Sequence, residues 1–212
     1  MFASDRIFLE ACVELAAQGQ MTCAPNPPVG CIIWRDGKVL GRGFHQRAGA
    51  GHAEVNALRS VEGGARNATV FVSLEPCSFV GRTPACARTL IDAGVARVVV
   101  AAVDPNPKVA GSGIRLLREA GIAVDVLELD SAKEQIQGFT QRITRQRPWV
   151  RIKTATSLDG SVALANGKSQ WVTGSAARAD VQYWRARSDA IVTGVGSVIA
   201  DDPLLTVRDP AF

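Results

Sequence analysis

The stretch 97–127, RVVVAAVDPNPKVAGSGIRLLREAGIAVDVL, decides the fold class of this sequence. It opens with the apolar run Arg97–Val103 and closes with a second one, Ile122–Leu127. Short apolar runs that are rich in β-branched residues are typical of buried strands. Between them, Gly113–Ala120 has the length and the apolar spacing of a helix. A strand, a helix and a strand in this order predict an α/β sheet.

The same alternation continues towards the N-terminus. Two apolar runs, 29–34 and 39–44, flank Asp36-Gly37, and an Asp-Gly pair in that position predicts a β-hairpin because glycine accepts a positive φ. The other elements predicted in this part are helices over 4–19, 52–60 and 86–93 and a strand over 69–73. Strands and helices of these lengths predict a three-layer α/β domain.

A polar segment, 131–147, separates this domain from the C-terminal part of the chain. Its spacing predicts a helix, which Pro148 closes. The end of the segment carries a basic run, Arg142, Arg145 and Arg147. We interpret this run as a solvated helix face rather than as a phosphate-binding patch. The segment is the predicted connector between a first domain, 1–147, and a second one, 148–212.

The second domain starts with a predicted strand over 150–155. A capped helix over 175–187 and another strand over 190–193 follow it. The range 148–212 holds only 65 residues, which is marginal for an independent hydrophobic core. The sequence therefore predicts that this domain is incomplete.

The composition is that of an ordinary globular protein. Apolar residues make up 47% of the 212 and charged residues 21%, and the net charge of +4 suits a phosphorylated small molecule as well as a nucleic acid. The apolar run 95–103 is too short to cross a bilayer, and no early stretch has the features of a secretory signal. Five cysteines, an odd number, favour metal or free-thiol use in a reducing compartment, so we expect a cytoplasmic protein.

Four side chains together suit a catalytic zinc site. His52 and Glu54, which one residue separates, precede a Pro-Cys pair that ends at Cys77 and a further cysteine, Cys86. A catalytic zinc site uses three protein ligands with nitrogen, sulfur or oxygen donors and leaves the fourth position to water. His52, Cys77 and Cys86 are the predicted ligands. Glu54 is the predicted general acid and base, because zinc deaminases combine an H-x-E segment with a P-C segment in this division of labour.

The combination is far more specific than its parts. A lone His-x-Glu occurs by chance at the start of surface helices, and two cysteines nine positions apart are more often buried thiols. In the general deaminase signature two residues separate the cysteines, whereas eight, 78–85, lie between them here. The insert must loop out and return, and its Gly81 and Pro84 suit such a turn. It also places Arg82 and Thr83 beside the metal.

Five segments resemble the bifunctional riboflavin biosynthesis deaminase/reductase family. They are A-P-N-P-P-V-G at 24–30, G-H-A-E-V at 51–55, L-E-P-C at 74–77, G-R-T-P-A-C at 81–86 and D-P-N-P-K-V at 104–109. The long cysteine insert distinguishes this family from tRNA adenosine, cytidine and guanine deaminases, which keep the short spacing. The likeness runs from the first helix to Phe212. It has two departures. In the insert the family usually carries histidines where this chain has Phe79 and Val80, and the family's reductase domain extends well past Phe212.

The resemblance implies a fold and an activity for each domain. The first domain would be a cytidine-deaminase-like α/β domain with a mixed sheet, which uses Zn²⁺ to deaminate a diaminopyrimidine that carries a ribose 5-phosphate. The second would be the first part of a dihydrofolate-reductase-like α/β domain, which in the family uses NADPH to reduce the ribosyl side chain to ribityl. The family also implies a cytoplasmic homo-oligomer that acts on a small molecule, without nucleic-acid or membrane partners.

The resemblance assigns binding residues by position. The implied substrate contacts of the deaminase are Asn26, His45, Arg82 and Lys108. The implied NADP contacts are Ala155, Trp171, Ser197 and Asp201, and the implied substrate contacts of the reductase are Ser169, Arg185, Leu205 and Arg208. An amide can pair with a base edge and a cation with phosphate. The competing interpretations are that Asn26 is a turn residue before proline and that His45 is a histidine at a strand end.

Two other functions fit parts of the pattern. A nucleic-acid deaminase would use the same zinc motif together with the net positive charge, and would bind RNA in a salt-dependent way. A structural zinc domain would need a fourth protein ligand, for which His45, the only other histidine, and Cys23 are the candidates. The long cysteine insert and the reductase-like segment favour the small-molecule deaminase over both.

Overall fold

The computed structural model describes residues 3–79 and 85–210. The chain divides into two compact units, 1–149 and 150–212. The first unit contains a five-stranded sheet with helices on both faces, and the described part of the second contains two helices. None of the described helices is both long and apolar enough to cross a bilayer.

The sheet of the first unit is mixed. Its strands are β1 Gly30–Arg35, β2 Lys38–Phe44, β3 Thr69–Val72, β4 Arg97–Val100 and β5 Ala123–Val126. Their order across the sheet is β2-β1-β3-β4-β5. Strand β1 pairs antiparallel with both β2 and β3, while β3, β4 and β5 run parallel to one another. The carboxyl ends of the three parallel strands therefore meet at one edge of the sheet, where ligand sites of α/β folds usually lie.

The described residues form eight helices, of which six belong to the first unit. They are α1 Ala3–Ala17, α2 Ala53–Arg59, α3 Cys86–Asp92, α4 Ser112–Glu119, α5 Asp130–Gln135, α6 Gln137–Arg145, α7 Ser175–Ala186 and α8 Val195–Asp201. The helical segment predicted over 131–147 is confirmed, but it consists of two helices, α5 and α6. Ile136, which lies between them, leaves the helical conformation with its side chain buried in the core.

Side chains that alternate between the two faces of the strands form a core on each side of the sheet, which gives the three predicted layers. Cys31, Ile33, Val70 and Val72 face a core that also takes in buried residues of α2, α3 and α4. Their neighbours in sequence, such as Ile32, face the opposite core, which α1 and α5 cover. Successive residues of a strand point to opposite faces, so these continuous apolar strands are buried on both sides.

Two features of the hairpin depend on glycine. The turn consists of Asp36 and Gly37 with φ angles of 50° and 80°, as predicted from the Asp-Gly pair, and such a two-residue turn matches the twist of the strands. On β2, Gly43 allows α2 to approach closely, because a Cβ at this position would lie 2.2 Å from the backbone nitrogen of Ala57. This contact sets the depth of α2, whose first turn carries Glu54.

The second unit differs from its prediction. The helix expected over 175–187 is confirmed as α7, but the strands expected over 150–155 and 190–193 are wrong, because no strand forms there. A strand is stabilised by pairing, and no partner strand lies beside these segments within the described residues. Ile152 and Val192 are instead 84% and 92% exposed.

Candidate active site

The three predicted zinc ligands come together at the carboxyl edge of the sheet. His52 directly precedes α2, Cys77 follows β3, and Cys86 is the first residue of α3. Their ligand atoms all lie within 4.8 Å of one another. His52 Nδ1 is 3.2 Å from Cys86 Sγ and 3.6 Å from Cys77 Sγ. Residues that are distant in the sequence thus present one nitrogen and two sulfur atoms to a common point.

The spacing of these atoms fits a tetrahedral zinc ion. With zinc–nitrogen bonds of about 2.0 Å and zinc–sulfur bonds of about 2.3 Å, two ligand atoms lie roughly 3.5 Å apart. Both distances measured from His52 Nδ1 are close to that value. Because Cys23 and His45 are absent from the group, the described residues provide three ligands rather than four. This number is that of an open, catalytic site.

The electrostatics of the cysteine pair also suit a cation. The Cys86 thiol donates a hydrogen bond that lowers the pKa of Cys77 to about 4 and raises the pKa of Cys86 itself. The backbone N–H of Cys86 donates to Cys77 Sγ over 3.3 Å. The hydrogen bond to Cys77 raises the pKa of His52. Thus the pair holds a negative charge, and an ion with affinity for thiolate can replace the proton that the two sulfurs share.

Glu54 is buried beside these ligands. Its side chain lies in the first turn of α2, is only 3% exposed and lines the adjoining cavity. Burial, together with the negative charge of Cys77, raises the pKa of Glu54 to about 7. A carboxyl group with such a pKa can accept and release a proton near neutral pH. Glu54 does not belong to the ligand group, which agrees with a role in proton transfer.

A cavity of about 470 Å³ adjoins the ligand group, and His52 and Cys77 line it. Its volume lies in the range of small-molecule sites. Most of its wall comes from loops at the carboxyl edge of the sheet and from the segment before β1. The residues that line it are Pro25, Asn26, Pro27, Val29, His45, Ala48, Gly49, Ala50, His52, Glu54, Leu74, Glu75, Cys77, Phe79, Asp104, Asn106, Val109 and Phe139.

Two predicted substrate contacts, Asn26 and His45, form a hydrogen-bonded pair in this wall. His45 Nδ1 lies 3.1 Å from the Gly51 carbonyl oxygen, which can only accept, so Nδ1 carries the proton. Burial lowers the pKa of His45, so the ring is neutral and its Nε2 accepts from Asn26 Nδ2 over 3.1 Å. The pairing fixes the Asn26 amide, whose oxygen remains available to a ligand.

The other two predicted substrate contacts are placed differently. Arg82 lies outside the described residues, as does Val80. Lys108 is exposed in the loop before α4 and does not line the cavity, although Asn106 and Val109 of the same loop do. Phe79, which stands where the family usually has histidine, is described, is 48% exposed and lines the cavity.

Asp104 and Asn106 are cavity residues that the sequence reasoning missed. Asp104 is 8% exposed, and its Oδ1 accepts a hydrogen bond of 2.8 Å from the Asn106 backbone N–H. Burial raises the pKa of Asp104 to about 6. Both residues belong to the D-P-N-P-K-V segment, and an acidic residue directly after a predicted strand was the signal that could have identified them.

Glu75, also missed, holds the surrounding loops together. Its Oε2 accepts from the backbone N–H groups of Asp104 and Gly111 over 3.2 and 2.9 Å. Its Oε1 accepts from Gly113 and Ile114 over 2.9 and 3.2 Å. The start of α4 and the 104–111 loop are thereby tied to the residue two positions before Cys77.

The predicted reductase residues lie in the second unit. Ser197 and Asp201 are exposed on α8, and Arg185 of α7 donates to the Thr206 carbonyl oxygen over 2.9 Å. Trp171 is 70% exposed, with the Arg178 guanidinium 4.5 Å from its ring centre. The backbone N–H of Arg208 donates to Gln182 Oε1 over 2.8 Å. Ala155 and Leu205 are half-buried and Ser169 is exposed.

Family models match both parts of the chain. The model for the cytidine and deoxycytidylate deaminase zinc-binding region matches residues 3–102, which contain His52, Glu54 and Cys77 as well as Cys86. The model for the RibD C-terminal domain matches residues 148–212. The chain therefore contains a deaminase-type zinc-binding region and part of a RibD C-terminal domain.

Relatives match nearly the whole chain. The riboflavin biosynthesis protein RibD of Escherichia coli (strain K12) is 50% identical over 205 residues, which are 96% of this chain and 56% of that protein. The structure of Acinetobacter baumannii RibD, form 1, is 50% identical with a TM-score of 0.90, and the match covers 97% of this chain and 58% of that one.

A third relative comes from Thermotoga maritima. Its structure is described as a diaminohydroxyphosphoribosylaminopyrimidine deaminase/5-amino-6-(5-phosphoribosylamino)uracil reductase and is 37% identical with a TM-score of 0.91. The match covers 96% of this chain and 59% of that one. The chain thus spans a little more than half the length of the relatives it matches.

Proposed function

Because the chain belongs to the RibD family of riboflavin biosynthesis proteins, we propose that its first domain, 1–147, is a zinc-dependent hydrolytic deaminase. The proposed substrate is a diaminopyrimidine with a phosphorylated ribosylamino group. The name of the Thermotoga maritima relative, a diaminohydroxyphosphoribosylaminopyrimidine deaminase, supports this substrate class. The observation that carries the proposal is the convergence of three ligands at the edge of a cavity whose wall also contains a buried carboxyl group.

In this proposal His52, Cys77 and Cys86 hold the zinc ion. When bound, zinc would lower the pKa of water and so supply a nucleophile near neutral pH. The cavity walls keep the pyrimidine next to that point, and the fixed amide of Asn26 pairs with an edge of the base. Asp104 and Asn106 contribute further polar groups to the wall.

Glu54 moves the protons of the reaction. Its carboxylate takes a proton from the attacking water as the new carbon–oxygen bond forms. The same carboxyl group then delivers a proton to the amino nitrogen, the carbon–nitrogen bond breaks and ammonia leaves. One water molecule is consumed for each ammonia released, so atoms and charges balance. Because Glu54 is buried, exchange of this proton with bulk solvent is limited.

The substitution Glu54→Gln tests the proposal. It keeps the size of the side chain and removes its basic group, so kcat for ammonia release should fall about 100-fold or more, since general acid–base catalysis contributes that much. Zinc content, measured by metal analysis, should stay at one ion per chain. Glu62→Gln, an exposed glutamate outside the cavity, is the control. Full turnover of Glu54→Gln would refute the assignment.

The second domain, 148–212, is proposed to carry part of an NADPH-dependent reductase. The family match over this range supports the proposal. Its predicted NADP contacts are Ala155, Trp171, Ser197 and Asp201, and its predicted substrate contacts are Ser169, Arg185, Leu205 and Arg208. An assay that follows NADPH oxidation separately from ammonia release distinguishes the two activities.

We further propose that the protein acts in the cytoplasm as a homo-oligomer without nucleic-acid partners. All five cysteines are free, and two of them would have to remain reduced to bind zinc, which supports a reducing compartment. Sedimentation analysis measures the oligomeric state. An RNA-binding titration at low salt, in which no binding is expected, tests the absence of a nucleic-acid partner.

A further inference from the structure

The described part of the cavity wall has the wrong charge for the phosphate of the proposed substrate. Of the described residues that line it, none is lysine or arginine, and three carry carboxyl groups, Glu54, Glu75 and Asp104. A phosphate monoester carries a charge of about −1.5 to −2 at neutral pH. Coulomb repulsion and the loss of hydration would therefore disfavour it deep in the cavity. Among the described residues, the phosphate can therefore meet a cation only at the rim.

Arg142 is a cation fixed at that rim. Its Nη2 donates a hydrogen bond of 2.7 Å to the carbonyl oxygen of Pro25, and its guanidinium carbon lies 5.7 Å from the ring centre of Phe139. Pro25 and Phe139 both line the cavity, although they are far apart in the sequence. The guanidinium therefore contacts both α6 and the segment that carries Asn26.

The geometry points to Arg142 as the residue that binds the 5′-phosphate of the substrate, an inference that rests on the proposed function. A guanidinium has five N–H donors, and the hydrogen bond to Pro25 uses one of them. The remaining donors are arranged in a planar fork that matches two phosphate oxygens. Phe139 provides an apolar surface under the same group for the carbon chain of the sugar.

The other described cations of the basic run and of the loop before α4 are placed less favourably. Arg145 and Arg147 belong to the same basic run, but among the described residues neither has a hydrogen bond or ring contact with a cavity residue like those of Arg142. Lys108 is exposed, and its side chain does not line the cavity. Because Arg142 is already held by two cavity residues, it loses less conformational entropy on binding than a free side chain. The basic run, interpreted from the sequence as solvated, thus contains one binding residue.

The experiment compares Arg142→Ala, Arg142→Lys and Arg145→Ala with the unmodified zinc-loaded protein. Each is assayed for ammonia release from the phosphorylated diaminopyrimidine and from the same compound without its phosphate. For Arg142→Ala, KM for the phosphorylated substrate should rise about tenfold or more, since hydrogen bonds to charged groups have this strength, while kcat changes little. Arg142→Lys should restore part of the loss. Arg145→Ala should behave like the unmodified protein.

The dephosphorylated substrate shows whether Arg142 binds phosphate or has only a structural role. If Arg142 binds phosphate, Arg142→Ala leaves kcat/KM for this compound unchanged. If Arg142 only holds α6 against the Pro25 loop, kcat/KM falls equally for both compounds, and the inference is overturned. Equal losses in Arg145→Ala and Arg142→Ala would overturn it as well, because the effect would then come from overall charge.

A binding measurement keeps this test independent of turnover. Ribose 5-phosphate, titrated calorimetrically into the unmodified protein, should bind at least about tenfold more tightly than to Arg142→Ala. Equal affinities would overturn the role of Arg142 even if the enzyme is active. Absence of ammonia release by a protein whose ribose 5-phosphate binding depends on Arg142 would instead contradict the proposed function alone.

Discussion

Asp104 places a carboxyl group in the cavity wall. It faces two other groups that can be negative, Glu75 and Cys77, and burial with this neighbouring charge raises its pKa to about 6, with burial the larger cause. An unfolded aspartate has a pKa of about 3.9. Between these two values the folded protein keeps a proton that the unfolded chain has released. The stability therefore falls as the pH rises through this window.

We expect Asp104→Asn to remove this pH dependence. The free energy of unfolding of Asp104→Asn relative to the unmodified protein should increase by about 1–2 kcal/mol between pH 4 and pH 7, a value reduced for solvent screening. Urea unfolding at both pH values measures it. A difference in stability that is the same at both pH values would contradict the raised pKa. Ammonia release should also decrease, because the cavity loses its charge at this position.

At this scale, chemistry decides which residues could be predicted from the sequence. A zinc ion accepts few kinds of donor atom, so the identities and spacing of His52, Cys77 and Cys86 are informative in the sequence alone. Asp104 and Glu75 lack such a signature. The role of Glu75 depends on backbone N–H groups 29 to 39 positions further along the chain, which only the folded structure brings to it.

Among the elements, α4 and the loop before it depend on a single carboxylate. Four backbone N–H groups share the two oxygens of Glu75, which is 3% exposed. Gly113 allows this approach, because a Cβ there would lie 1.9 Å from the carbonyl oxygen of Pro76. The first turn of α4 therefore packs directly on the backbone next to Cys77, and the same contacts position Asp104.

We expect Glu75→Gln to weaken the contact of α4 and its preceding loop with the segment next to Cys77. Glutamine offers one acceptor oxygen and turns an NH₂ group towards N–H groups that already donate, so buried donors lose their partners. The free energy of unfolding of the zinc-loaded protein should fall by about 2 kcal/mol or more, as is usual for unsatisfied buried groups. Chemical denaturation measures this, with the exposed Glu62→Gln as the matched control. If the two variants were equally stable, this contact would not depend on Glu75.

Some helices and strands can be predicted from local sequence patterns and others cannot. The hairpin and the strands of the first unit were predictable, because their turn chemistry and buried faces are local signals. The break between α5 and α6 was not, since the burial of Ile136 against the second core decides it. The strands expected over 150–155 and 190–193 have the right residues, but pairing depends on partners that a local pattern does not reveal.

Over the whole molecule, burial separates the two units. The first unit has two hydrophobic cores, one on each face of its sheet. In the second unit none of the described residues, 150–210, is buried, and large apolar side chains such as Ile152 and Ile199 are more than 80% exposed. Local opening requires little energy where few apolar contacts are lost. The stability of the chain, and with it the zinc site, thus depends on the first unit.

This contrast predicts the course of limited proteolysis. Trypsin should first cleave the zinc-loaded protein at basic residues between Arg145 and Arg208 and leave a resistant fragment close to residues 1–149, because proteases cut where local opening is easiest. Mass spectrometry identifies the fragment. Since every ligand and all described cavity residues lie before position 140, the fragment should keep its zinc and its rate of ammonia release. Early cleavage between α1 and α4, or loss of zinc on trimming, would show instead that the first unit depends on the second.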